Sequence, residues 1–234
     1  MKYENICKGN FIARPNRFIA EVEIGGELVR AHVKNTGRCR ELLTPGAEVY
    51  LEDFAGRMGN RKLRYSLIGV KKGSLLINMD SQAPNQVCEE ALLAGTLKLP
   101  GMKTLTEVQR EKTFESSRFD FYIEDEGGRK GWLEVKGVTL EEGGVARFPD
   151  APTERGIKHL RELVQAAEQG YRAYVLFVVQ MSGISFFEPN DRTHKAFGDA
   201  LRSAQKKGVQ VLACDCEVTV NTLEIQNMIS VRLD

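Results

Sequence analysis

Long apolar runs are missing from this chain. No stretch of its 234 residues approaches the roughly 18 apolar residues of a membrane-spanning helix, so no membrane partner is expected. The opening residues, MKYENICKGNF, lack the apolar core and cleavage site of a secretory signal. Cysteine is sparse: Cys7, Cys39, Cys88, Cys214 and Cys216 are odd in number, scattered, and form no C-x-x-C pair. That pattern supports neither a disulfide framework nor a zinc site, and it fits a reducing cytoplasm. Cys214 and Cys216 share a face of the strand VQVLACDCEV and read as buried thiols. Proline is scarce and low-complexity tracts are absent, which excludes a disordered chain. There is no Ser-His-Asp or Cys-His arrangement, P-loop or dinucleotide fingerprint, and His32 and His194 join no constellation.

What is present divides the chain in two. The net charge of +1 conceals 14 Lys and Arg against 9 Asp and Glu in residues 1–82, and 19 against 23 in residues 83–234. A basic module joined to an acidic one suits a grip on a polyanion beside a site that holds cations. Periodicity changes at the same place. From residue 10 to 78 the strands are short and punctuated by glycine, with RFIAEVEI, Gly25-Gly26 and ELVRAHVK forming a strong hairpin signal. Five or more such strands without a helix predict a small β-barrel. The loop NTGRCRELLTPG supplies Arg38 and Arg40, while NRKLRYSL places Lys62 and Arg64 on one strand face and Leu63 and Tyr65 on the other. Cations beside aromatics suit nucleic acid, and a solvated barrel exterior has the same pattern.

After SQAPN the spacing turns helical, with Asn85 as a plausible N-cap and Glu89 and Glu90 in the first turn. Strands follow over 104–114, 117–124 and 131–138. A helix over 152–169 carries the stripe Ile157, Leu160, Val164 and Ala167, with Asp150 or Thr153 as its cap. YRAYVLFVVQ is apolar on both faces and therefore central; a third helix over 192–207 and two more strands complete a mixed sheet flanked by helices.

The chemistry concentrates in SSRFDFYIED and WLEVKGVTL. A hairpin centred on Gly127 sets Asp120 across from Glu134, Phe121 from Leu133 and Phe119 from Val135. Directly opposed side chains share a face. Asp120, Glu134, Lys136 and Arg118 then gather on one side, and four apolar side chains on the other. Opposed carboxylates repel unless a cation lies between them. A hard ion such as Mg²⁺, or Mn²⁺ in its place, suits two carboxylates, water and borrowed phosphate oxygens. Lys136 is placed to orient water or neutralise a phosphate oxygen. These are parts for metal-assisted phosphodiester hydrolysis, and a solvated salt-bridge group would use the same residues. On the second helix Arg155, Lys158 and His159 lie at i, i+3 and i+4. They serve either a phosphate and the carboxylates or a polar outer face.

Asp120, a gap of 13 residues, then Glu134-Val135-Lys136 resembles the PD-(D/E)xK pattern of restriction-endonuclease-like enzymes, with Phe119 where that pattern has proline. NTGRCRELLTPG, SRFDF, WLEVKGVTL and above all RFPDAPTERGIKHLREL resemble the sugar fermentation stimulation protein family, SfsA. That resemblance implies an N-terminal OB-like β-barrel and a C-terminal α/β restriction-endonuclease-like domain. It also implies sequence-nonspecific DNA binding tied to sugar utilisation. Asp120, Glu134 and Lys136 take the metal and lysine positions. A first-helix glutamate often completes such sites, here Glu90, with Glu89 next. RNA as a further ligand and a homodimer both fit the fold class.

Overall fold

The structure, a computed structural model, describes residues 1–35, 37 and 39–234. Six strands come first: β1 (Ile6–Asn16), β2 (Ile19–Ile24), β3 (Glu27–Val33), β4 (Glu48–Asp53), β5 (Tyr65–Lys72) and β6 (Leu75–Asn78). They hydrogen-bond in the order β3-β2-β1-β4-β5-β6, and a parallel pairing of β3 with β5 closes five of them into a barrel. Alternate residues fill it: Ala20, Val22, Ala31, Val33, Val49, Leu51 and Leu67 are fully buried, as a period of two requires. The β2–β3 turn needs its glycines, since Gly25 and Gly26 have φ of 60° and 87°.

One expectation about the barrel is corrected. Lys62 and Arg64 do not lie on a strand, because β5 begins only at Tyr65. Residues 54–64 run instead through two turns, closed by Arg57 N–H to Phe54 O and Arg61 N–H to Met58 O, both at 2.8 Å.

The second part begins with α1 (Ala83–Leu93), followed by β7 (Leu105–Phe114), β8 (Ser117–Asp125), β9 (Lys130–Val138), β10 (Leu140–Glu142) and β11 (Val145–Phe148). Then come α2 (Glu154–Glu168), β12 (Arg172–Val179), β13 (Phe186–Pro189), α3 (Asp191–Lys206), β14 (Gln210–Val218) and β15 (Leu223–Val231). Nine strands form one mixed sheet in the order β10-β11-β13-β15-β14-β12-β9-β8-β7. As expected, β12 is central, paired in parallel with both β9 and β14. Its Tyr174, Leu176 and Val178 pack with α1, and its Val175, Phe177 and Val179 pack with α2 and α3. Each such side chain withdrawn from water contributes about 1.5–3 kcal/mol.

Helix α1 starts three residues earlier than expected, with Gln82 at the N-cap position and Pro84 in its first turn, where no intrahelical N–H is required. Asn85 is therefore inside the helix rather than its cap, and Glu89 and Glu90 fall in the second turn. Helix α2 is capped by Thr153, whose Oγ1 accepts from Gly156 N–H at 3.1 Å.

Barrel and sheet are tied by polar contacts. Asn78 N–H donates to Gln180 O at 2.9 Å, and Gln180 Nε2 donates to Asn78 Oδ1 at 2.8 Å. Lys72 pairs with buried Glu141 at 2.7 Å. Gly137 sits where this junction leaves no room: a Cβ there would meet Gln180 Oε1 at 2.6 Å and Pro84 Cγ at 2.8 Å.

Candidate active site

The hairpin of β8 and β9 has the register read from its turn: Phe121 pairs with Leu133, Tyr122 with Trp132 and Ile123 with Gly131. Beyond Phe121 the ladder gives way. Val135 N–H, which points at β8, donates to Asp120 Oδ2 at 2.8 Å instead of to a backbone carbonyl. The strand also changes its facing here. Phe121 packs on the α1 side, but Phe119 joins the opposite core, 5.8 Å from Trp132 and 6.0 Å from His159 between ring centroids. Glu111, which lies opposite Asp120 in the β7–β8 register, has a positive φ of 53°.

The expected single dry face of Phe119, Phe121, Leu133 and Val135 is therefore corrected, and so is the simple stacking of Asp120 on Glu134. Asp120 occupies the gap where the strands part, with Asn85 Nδ2 of α1 donating to Oδ1 at 2.7 Å. Glu134 reaches toward α2. Its Oε1 takes both the Lys136 ammonium and His159 Nδ1, while its Oε2 is buried without a hydrogen-bond partner. The two acids remain within electrostatic reach. Burial, and then the Glu134 charge, raise Asp120 from 3.8 to about 6. Burial also opposes ionisation of Glu134, but the His159 hydrogen bond and the Lys136 charge hold it below the ordinary glutamate value.

Helix α2 adds a relay behind Glu134. Arg155 Nε donates to His159 Nε2 at 3.3 Å, which makes Nε2 the acceptor and leaves Nδ1 to carry the proton toward Glu134. His159 is buried, so the outer-face reading does not hold for it. Lys158 points elsewhere, donating to Ser116 O at 3.1 Å and lying 3.7 Å from Glu162. The structure does not bring Glu90 to the pair: its carboxylate meets the N-terminal ammonium at 2.7 Å and accepts from Gln86. Glu89 turns the other way, to Arg110 at 3.2 Å. Among the described residues, no three His, Cys, Asp or Glu side chains converge as a ready ion cage. Sequence reasoning missed Asn85 as a partner of Asp120. Its only signal was a polar residue beside Pro84, which reads equally well as a cap.

On the barrel, Arg40 and Lys62 are exposed. Arg64 is already matched, its Nε and Nη2 on Asp53 Oδ1 and Oδ2 at 2.7 and 2.6 Å. Arg38 lies outside the described residues.

The family model described as "Sugar fermentation stimulation protein RE domain" matches residues 82–222, and "SfsA N-terminal OB domain" matches residues 12–79. The chain belongs to the sugar fermentation stimulation protein family. Among its relatives, a sugar fermentation stimulation protein homolog of Desulfitobacterium hafniense is 57% identical, covering 100% of this chain and 99% of the relative. Another from Clostridium beijerinckii is 52% identical with 100% of both chains covered. A solved structure, Pyrococcus furiosus SfsA in complex with Ca²⁺, matches 99% of this chain and 98% of its own, with a TM-score of 0.87 at 28% identity. The fold of this family member is an OB-like barrel followed by a restriction-endonuclease-like domain. No helix among the described residues is long and apolar enough to cross a membrane.

Proposed function

We propose that this protein is a divalent-metal-dependent nuclease that holds DNA, without regard to sequence, on a basic barrel. Residues 1–82 grip and residues 83–234 cut. The observation that carries this reading is the Glu134 carboxylate: one oxygen is buried without a partner, beside a second buried acid whose ionisation it opposes. Carboxylates so placed suit a shared cation, and the relative solved with Ca²⁺ is consistent with one.

Asp120 and Glu134 would hold the ion, which when bound supplies charge neutralisation at a phosphate and a more acidic water. Mg²⁺ and Mn²⁺ are the ions proposed. Asn85 and Val135 N–H fix the Asp120 carboxylate. Arg155 fixes the His159 tautomer, and His159 in turn fixes Glu134. Lys136, beside Glu134, is placed to orient the attacking water or meet a phosphate oxygen. Arg40 and Lys62, with Arg38, offer cations to the backbone, and Lys158 adds one from α2, away from the acidic pair, where it now meets Ser116 O. Binding to RNA and self-association into a dimer belong to the same proposal.

A second reading, a DNA-binding regulator of sugar utilisation without catalysis, draws on one observation. Both Asp120 oxygens and one Glu134 oxygen already have protein donors, as a closed structural cluster would. Incubation with labelled single- and double-stranded DNA and RNA, in Mg²⁺, Mn²⁺ or EDTA, separates the two. Metal-dependent cutting, abolished by Asp120→Ala and by Glu134→Ala with the gel shift retained, is the expected result. Binding without cleavage across that panel would favour the regulator.

A further inference from the structure

The barrel has a cavity that the basic residues alone do not explain. It measures about 400 Å³ and is lined by Phe18, Ile19, His32, Arg61, Lys62 and Leu63. Phe18 lies in the β1–β2 turn and is 50% exposed, unusual for a large aromatic side chain. Its backbone is nevertheless held in place: Phe18 N–H donates to Asn16 Oδ1 at 2.9 Å, and Phe18 O accepts from Val33 N–H at 2.8 Å. The Arg17 guanidinium lies 5.6 Å from the ring centroid.

None of the six lining residues is acidic, and two carry full positive charge. Arg61 is fixed by stacking 3.6 Å above the Phe54 ring and by donating to Ser66 Oγ, and its buried Nε–H has no acceptor. Burial, with Arg61 and Lys34 nearby, pushes His32 below its ordinary value, which leaves a neutral ring with one donor and one acceptor.

We infer that this cavity takes an unpaired nucleobase, stacked on Phe18 with its flanking phosphates on Arg61 and Lys62, so that the barrel prefers single-stranded nucleic acid. An exposed ring in a cationic hollow complements a base with a charged backbone. A duplex keeps its base faces inside the stack and offers nothing to such a ring. A chain of contacts runs from the strand that carries His32 to Asp120. Two residues beyond His32, Lys34 pairs with Asp80 at 2.5 Å, and Asp80 Oδ1 accepts from Gln82 N–H at the start of α1, whose Asn85 holds Asp120.

This rests on the reading of the barrel as a nucleic-acid grip and adds strandedness to it. The test is fluorescence anisotropy of the full-length protein in EDTA with labelled oligo-dT, oligo-rU and a duplex of matched length. Either single strand should bind more tightly than the duplex. Phe18→Ala should weaken single-strand binding about tenfold and leave the duplex unchanged, with Phe18→Tyr retaining affinity. Equal affinity for duplex and single strands, or an equal loss on both in Phe18→Ala, would overturn the inference. Because EDTA silences metal-dependent cutting, a failed cleavage assay leaves this result standing. Unselective binding alongside real cleavage would remove the base pocket and keep the nuclease.

Discussion

Asp120 accepts two hydrogen bonds and still stands near about pH 6, because burial and the Glu134 charge outweigh what Asn85 and Val135 supply. A folded-state value above the ordinary 3.8 means that the folded chain holds this proton more tightly than the unfolded chain does. Stability from this group is therefore greatest at low pH and declines as pH rises from about 4 through about 6. Asp120→Asn should be more stable than the parent protein in EDTA near about pH 7, by up to about 3 kcal/mol. The gain should vanish near about pH 4, and urea melts at the two pH values check both. Mg²⁺ should raise the melting temperature of the parent protein and not of Asp120→Asn. Removing the relay by His159→Ala or Arg155→Ala should lower metal affinity or cleavage by about 10–100-fold, read by metal titration of activity. At this scale the sequence was most informative. Asp120, Glu134 and Lys136 stand out by type and spacing, and Arg155 and His159 by their i, i+4 relation. Asn85 and the true partner of Glu90 depended on where α1 begins and which side of it meets the sheet.

Among the elements, the β8–β9 seam matters most. A turn centred on Gly127 sets its register, and alternation gives the facing of Phe121, Leu133 and Val135. Alternation fails at Phe119 because β8 changes its facing at Asp120, and a period-two rule has no term for such a kink. Gly137 shows a similar dependence on tertiary contact. Gly137→Ala should destabilise by about 1–3 kcal/mol in chemical denaturation, since Gln180 and Pro84 must both yield. Thr153→Ala should cost about 1 kcal/mol through loss of the α2 cap. In Thr153→Ser the hydroxyl remains and most of that stability with it.

For the whole molecule, under the proposed function, the split of charge between the halves steers a polyanion toward the barrel. Affinity for DNA should fall linearly on a log–log plot against salt, because phosphate contacts release counterions. Lys62→Glu and Arg40→Glu should weaken binding to all sequences alike. Arg64→Gln should change it little, because Asp53 already neutralises that guanidinium. Gel shifts over a salt series measure all three. Equal losses at Arg64 and Lys62 would show that the Asp53 pair opens on binding.

The order of amino acids alone specified two modules of opposite charge, the strand and helix periods, the central place of β12 and an acid–acid–lysine set on neighbouring strands. Those features are local, or depend only on alternation and turn geometry. Folding in three dimensions decided which cations remain available, where Asp120 points once the ladder ends, and that Phe18 is left exposed beside Arg61 and Lys62. Each of these depends on contacts between segments far apart in the chain. Short-range pattern cannot rank such contacts, because many partners satisfy the same charge or the same apolar face.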